Sequence, residues 1–197
     1  MIRSARYQQL QDQVDELEVH LEANELLARY NLALPLSSFR NLQANQSTAR
    51  QLVTKLCNHA MKAKPPLGVV EWKGVIEALL ILRKKVFTFI SEQYCYSYFL
   101  EALLQVGQVE LASEFVAKTN KGQSIVMKTA KEYFNSSASL GDPALLQARR
   151  CLALLPEKAA LAEVQLLDAV ELVRRHFPST QLLPVQVRLA DKQELIE

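Results

Sequence analysis

Paired carboxylates, clustered metal ligands and activated nucleophiles each need particular side chains at particular spacings. The 197-residue sequence offers few of them. Its five aspartates fall at positions 12, 15, 142, 168 and 191, and only Asp12 and Asp15 stand close together. A three-residue step sets two carboxylates along one helix face, where a general acid and base or half of a cation site would have to begin. The surrounding QLQDQVDELE is polar on that face, so the pair reads as solvated surface. Cys57-x-His59 is the one compact pairing of a thiol with an imidazole. A two-residue step on a helix turns the side chains about 200° apart, and no second pair completes a tetrahedral set, so zinc is not expected. The five glycines are scattered and form neither a phosphate-cradling loop nor a nucleophile elbow. No catalytic, metal-ligating or cofactor-binding residue is assigned, and the expectation is a protein that is not an enzyme and carries no cofactor.

The basic runs Arg83-Lys84-Lys85, Arg149-Arg150 and Arg174-Arg175 would make a polyanion site if the fold aligned them. The overall balance argues otherwise, because 23 basic against 21 acidic residues leave a net charge of +2 and no global field to recruit nucleic acid or an acidic membrane. These runs read as solvated outer faces whose stems lie over apolar neighbours. Tyr94, Tyr96, Tyr98 and Phe99 crowd one segment and invite comparison with a base-stacking platform. Their spacing wraps around a helix, which suits burial between neighbouring helices better.

Cys57, Cys95 and Cys151 are odd in number, far apart and set among apolar residues, so buried reduced thiols are expected. No apolar stretch of signal-peptide length opens the chain. The longest uncharged run, His176 to Val187, contains Pro178 and Pro184 and cannot cross a bilayer as a helix. A cytosolic product is expected, in which the sequons at Asn45 and Asn135 are chance.

The elements that must position these residues are helices. Leu (33) and Ala (22) dominate, while Gly (5) and Pro (7) are sparse. From Ser4 to about Arg29 there is no breaker, and Tyr7, Leu10, Val14, Leu17 and Leu21 follow alternating steps of three and four. This stripe is expected to lie against neighbouring helices. Pro35 breaks the pattern, and a connecting turn with buried anchors follows through Phe39. Ser47 is the expected N-cap of a second helix that Pro65-Pro66 and Gly68 end. Trp72 to Phe89 carries the stripe Val75, Leu79, Leu82, Val86, Phe89. Ser91 caps a helix that stops at Gly107, and Val109 to Lys118 returns as its hairpin partner. Gln123 to about Ala138 is next, and Asp142 then caps a helix with Pro143 at its first position. Ala144 to Leu155 and Ala160 to Phe177 form a second hairpin. Ala102, Ala112, Ala148, Ala153 and Ala162 are the small residues expected at the two crossings. The tail around 178–189 is expected to be extended, before a last short helix near 191–196. The whole reads as a single all-α segment over 1–197, an irregular α-solenoid of antiparallel helical hairpins and a fragment of a longer rod. A compact bundle is the structural alternative.

Four stretches carry a resemblance: ELEVHLEANELLARYNLALPLSSFRNLQ (16–43), STARQLVTKLCNHAMKAKPPL (47–67), YCYSYFLEALLQVGQVELASEFV (94–116) and LPVQVRL (183–189). In order and extent they resemble the secretory-pathway helical domain of the neuroblastoma-amplified sequence family. They are strings of packing positions, so no partner-contacting residue is carried over. The resemblance implies an irregular α-solenoid within a tethering complex related to yeast Dsl, peripheral at the endoplasmic reticulum membrane and receiving Golgi-derived vesicles. Implied partners are a zeste-white-ten homologue, a Rad-fifty interactor and SNAREs of the reticulum. Membrane association is implied through those partners only, without direct nucleic-acid contact. A part in nonsense-mediated mRNA decay is also implied. A generic helical adaptor gripping a partner peptide would share every local feature.

Overall fold

The computed structural model describes residues 2–177 and 182–189 and, among them, side chains from Arg6 onward. Regular structure among the described residues is helical: α1 (Ile2–Ala28), α2 (Leu36–Ala44), α3 (Gln46–Met61), α4 (Val69–Lys85), α5 (Glu92–Gln105), α6 (Val109–Ser113), α7 (Gly122–Ser136), α8 (Pro143–Leu152), α9 (Glu157–His176) and α10 (Pro184–Leu189), with a 3₁₀ turn at Val116–Lys118. The contacts gather into two compact units, Met1–Ala102 and Leu103–Glu197.

In the first unit, α1 runs without interruption, as its lack of Gly and Pro predicts, but it is covered differently from expectation. Tyr7, Leu10, Val14, Leu17 and Leu21 are exposed by 71, 61, 50, 47 and 45%. The residues of α1 that are buried are His20, Ala23 and Leu27, about a third of a turn around the helix from that stripe. The helix is therefore held near its C-terminal end, where the His20 ring stacks on Phe39 of α2 with centroids 5.1 Å apart. Beyond it, the Asn24 side chain accepts the Leu34 amide at 2.8 Å and fixes the exit of the chain.

The connector expected through Phe39 is a nine-residue helix, α2, which opens after Pro35 and buries Phe39 and Leu42. The cap of α3 is Asn45 and not Ser47. Asn45 has extended backbone, and its side chain accepts the amides of Ser47 at 2.9 Å and Thr48 at 3.3 Å. Asparagine ranks with serine as a cap, and Asn45 arrives first in the sequence. Leu52, Val53, Leu56 and Ala60 of α3 are buried as one face, and Trp72, Val75, Leu79 and Leu82 of α4 likewise. Because α4 ends at Lys85, Phe89 leaves the helical register and is 41% exposed. Trp72 packs edge-on to Phe99 of α5, with centroids 5.9 Å apart. Ser91 caps α5 as expected, its Oγ accepting the Tyr94 amide at 3.2 Å.

In the second unit, Gly107 ends α5 with φ +77°, a left-handed conformation that glycine adopts without steric cost. The return helix expected over 109–118 is divided into α6, only five residues long, and the 3₁₀ turn. Tyr133 of α7 donates its hydroxyl to the Leu104 carbonyl at 2.7 Å, which ties α7 to the end of α5. The cap of α8 matches expectation: Asp142 Oδ1 accepts the Ala144 amide at 2.8 Å, with Pro143 in the first turn. α7 packs on α8, and α8 on α9. Ala102, Ala112 and Ala148 are buried, but Ala153 and Ala162 are exposed, and Ala160 takes the buried place at the start of α9.

The tail also departs from expectation. Within 178–189, residues 184–189 form α10 rather than an extended strand, with Pro184 in the first helical position that proline tolerates. α10 rests on α7 and α9. Arg188 pairs with Glu163 at 2.7 Å and lies 4.6 Å from the centroid of the Phe134 ring. Glu163 also meets Lys131 of α7 at 3.2 Å, so one carboxylate joins three helices. Residues 178–181 and the helix expected near 191–196 lie outside the described residues.

Candidate interaction surfaces

Among the described residues, no group of three or more His, Cys, Asp or Glu side chains is placed to hold a metal ion. Asp12 and Asp15 are exposed, and each accepts from a glutamine one turn back, Gln8 at 3.1 Å and Gln11 at 3.0 Å. Cys57 is buried and His59 half-buried on the same helix, with no partner set around them. The three cysteines are free and buried. Burial pushes their thiols up, Cys57 to about 12, Cys95 to about 11 and Cys151 to about 11. The nucleophilic thiolate is therefore suppressed at neutral pH.

The basic runs are committed to neighbouring carboxylates. Arg83 donates to the Ile90 carbonyl at 2.9 Å and to Glu92 at 3.2 Å, and Lys85 pairs with Glu22 of α1. Arg149 meets Asp168 at 2.6 Å, Arg150 pairs with Glu110, and Arg174 and Arg175 share Glu171 at 2.8 and 3.0 Å. The hydrogen bond from Arg150 holds the Glu110 carboxyl below its ordinary range, and those from Arg174 and Arg175 do the same for Glu171. A polyanion would have to displace these internal partners. Charge reversal at Arg149 and Arg150 together is expected to leave the far-ultraviolet circular dichroism spectrum intact. It should lower the melting midpoint by no more than a few degrees, because both pairs are largely solvated. Loss of helical signal at 25 °C would contradict that placement.

The aromatic cluster is packing. Phe99 is fully buried, and Tyr94, Tyr96 and Tyr98 are half-buried. Tyr94 and Tyr98 lie 4.7 Å apart between centroids, and the Arg50 guanidinium of α3 covers the Tyr94 ring at 5.2 Å. Burial, followed by the hydrogen bond with Tyr98, pushes the Tyr94 phenol up. The Tyr94 ring is thus flanked by Arg50 and Tyr98, partners from the chain itself.

The open concavities among the described residues include two of several hundred cubic ångströms. One, of about 390 Å³, lies between the start of α8 and α9 and is bordered by Leu146, Arg149, Leu167, Glu171 and Arg174. Its charged groups are the ion-paired ones just described, and Asp142 at its edge is held low by accepting the amides of Ala138 and Ala144. The other, of about 320 Å³, lies among Leu32, Leu34, Ser38, Leu42, Leu52 and Lys55. Neither brings together an acid, a base and a nucleophile. The surface that sequence reasoning did not foresee is the exposed stripe of α1. Its signal was the absence of any Lys or Arg between Tyr7 and Ala28 beside six acidic residues.

No helix among the described residues is long and apolar enough to cross a membrane. The human NBAS subunit of NRZ tethering complex is 29% identical over 216 residues, covering 95% of this chain and 9% of that protein. The Arabidopsis thaliana MAG2-interacting protein 2 is 28% identical over 197 residues, covering 95% of this chain and 8% of that protein. The chain thus spans less than a tenth of the length of either relative. No solved structure matches. The family model described as secretory pathway protein Sec39 matches residues 5–175, nearly the whole helical array, and the chain belongs to that family.

Proposed function

We propose that this chain is a non-catalytic scaffold segment of a vesicle-tethering complex, peripheral at the cytoplasmic face of the endoplasmic reticulum and acting in Golgi-to-reticulum retrograde transport. The observation that carries the reading is similarity over 95% of the chain to the human NBAS subunit of NRZ tethering complex. The local chemistry agrees with it, since the chemistry-bearing side chains among the described residues are spent on helix packing and on ion pairs between elements. On this reading the hairpins belong to an irregular α-solenoid whose stacked layers hold partners at a fixed spacing. Those partners are a zeste-white-ten homologue, a Rad-fifty interactor and SNAREs of the reticulum.

The test is titration of the 197-residue chain with each of those subunits and with the cytosolic domain of a reticulum SNARE, read by size exclusion with light scattering. A one-to-one complex of micromolar or tighter affinity with at least one of them is expected. Absence of every complex, from a chain that is helical and monodisperse, overturns the reading.

A further inference from the structure

The α1 stripe has no cover in this structure, and its chemistry selects what would cover it. Tyr7, Leu10, Val14, Leu17 and Leu21 project from α1 in alternating steps of three and four over about 21 Å of helix. An apolar seam with that period accepts the side chains of a second helix as knobs into holes. From Tyr7 onward the charged surroundings of the seam are of one sign, Arg6 at its N-terminal edge being basic. Asp12, Asp15, Glu16, Glu18, Glu22 and Glu25 fall between Tyr7 and Ala28, with no Lys or Arg among them. Glu18 and Glu25 border the stripe and are exposed, whereas Asp15 lies about a third of a turn round the helix from it. Glu22 is answered by Lys85, and Glu16 approaches His20 at 3.9 Å, which leaves the bordering carboxylates to an external partner.

Charge excludes two occupants. A second copy of α1 would set six carboxylates against six, with only Arg3 and Arg6 at its N-terminal end to offset them, so each helix carries a net charge of about −4. An anionic membrane leaflet attracts basic amphipathic helices and repels this one. We propose that the α1 stripe is a docking site for a basic amphipathic helix of a partner protein, with apolar residues in the seam and Lys or Arg facing Glu18 and Glu25. The inference stands on α1 alone and holds whether or not the tether reading does.

The probes are two synthetic 21-residue helical peptides with Leu at the seam positions, one with Lys and the other with Glu at the flanking positions. Binding to the 197-residue chain is read by fluorescence anisotropy. The Lys peptide is expected to bind one-to-one, at least about tenfold more tightly than the Glu peptide, and to weaken as salt rises. Leu10→Gln with Leu17→Gln touches only exposed positions, so the helical spectrum is retained while affinity for the Lys peptide falls by about tenfold or more. Glu18→Lys with Glu25→Lys reverses the peptide preference. Equal affinity for the two peptides, no binding of the Lys peptide, or indifference to the double glutamine variant overturns the proposal. So does concentration-dependent dimerisation in sedimentation, which would assign the seam to a second copy. Binding to phosphatidylserine vesicles that depends on Leu10 and Leu17 would assign it to a membrane and likewise overturn it.

Discussion

Leu103→Asp is expected to remove the cooperative folding of the second unit. Leu103 is fully buried near the end of α5, beside Leu104, whose carbonyl receives the Tyr133 hydroxyl at 2.7 Å. Truncating a leucine in such a place costs about 2–5 kcal/mol, and the carboxylate adds the cost of a buried charge without a partner. Together these reach the order of the whole stability of an ordinary domain, about 5–15 kcal/mol. The carboxyl escapes part of the penalty by holding its proton, so its folded pKa rises above the unfolded value near 3.9. Above that value the folded state binds more protons than the unfolded one, and stability relative to the parent falls as pH rises toward the folded pKa. Urea titrations at pH 5 and pH 8 should show the larger defect at pH 8 for Leu103→Asp and the same defect at both for Leu103→Asn. A Leu103→Asp variant within about 1 kcal/mol of the parent at pH 8 would show that the site reaches water.

The contrast between the buried Leu79 and Leu82 of α4 and the solvated Arg149-Arg150 pair was legible in the sequence, because apolar period and charge placement report which helix face is inward. The Asp142-Pro143 start of α8, the Ser91 cap and the Gly107 stop were legible for the same kind of reason: each is a local rule satisfied by adjacent residues. α1 shows where period stops being informative. Its strongest stripe, Tyr7 to Leu21, is exposed, while the face used for packing is the weaker set His20, Ala23, Leu27. Period identifies an apolar face without saying whether this chain covers it; coverage depends on where α2 and α4 lie, a long-range fact.

α10 shows a second limit. Val185 and Val187 alternate with polar residues, a strand signal, yet Arg188 is held by Glu163 and lies over Phe134 only if the segment coils into a helix. Tertiary contacts override a six-residue propensity easily. The candidate surfaces follow suit. The spacing of Asp12 and Asp15 or of Cys57 and His59 is a local matter, whereas the pairing of each basic run with a carboxylate joins residues up to 63 positions apart.

Gly122 and Gly74 are alike in sequence, each a lone glycine within a helical stretch, where replacement by alanine ordinarily stabilises by about 0.5–1 kcal/mol. The structure separates them. At Gly74 in α4, an added Cβ would meet the Tyr30 hydroxyl at 3.5 Å, an ordinary contact, so Gly74→Ala is expected to raise stability by about that amount. At Gly122, the first residue of α7, an added Cβ would overlap the Val116 carbonyl oxygen and stand 2.8 Å from its carbon. Both atoms are backbone of the preceding 3₁₀ turn, so no side chain can swing aside; the turn or the start of α7 must move. Overpacking of this kind costs about 1–3 kcal/mol, and the rigidity of the obstacle places Gly122→Ala at about 3 kcal/mol destabilising. Because α7 is the helix on which α8 and α10 pack, the displacement is carried into the core of the unit, and the defect should appear as a lower urea midpoint with an unchanged slope. Opposite signs for the two alanine variants are the decisive result. A stabilising Gly122→Ala would mean that the Val116 carbonyl does not stand against α7, and the close approach of the 3₁₀ turn to that helix would have to be abandoned.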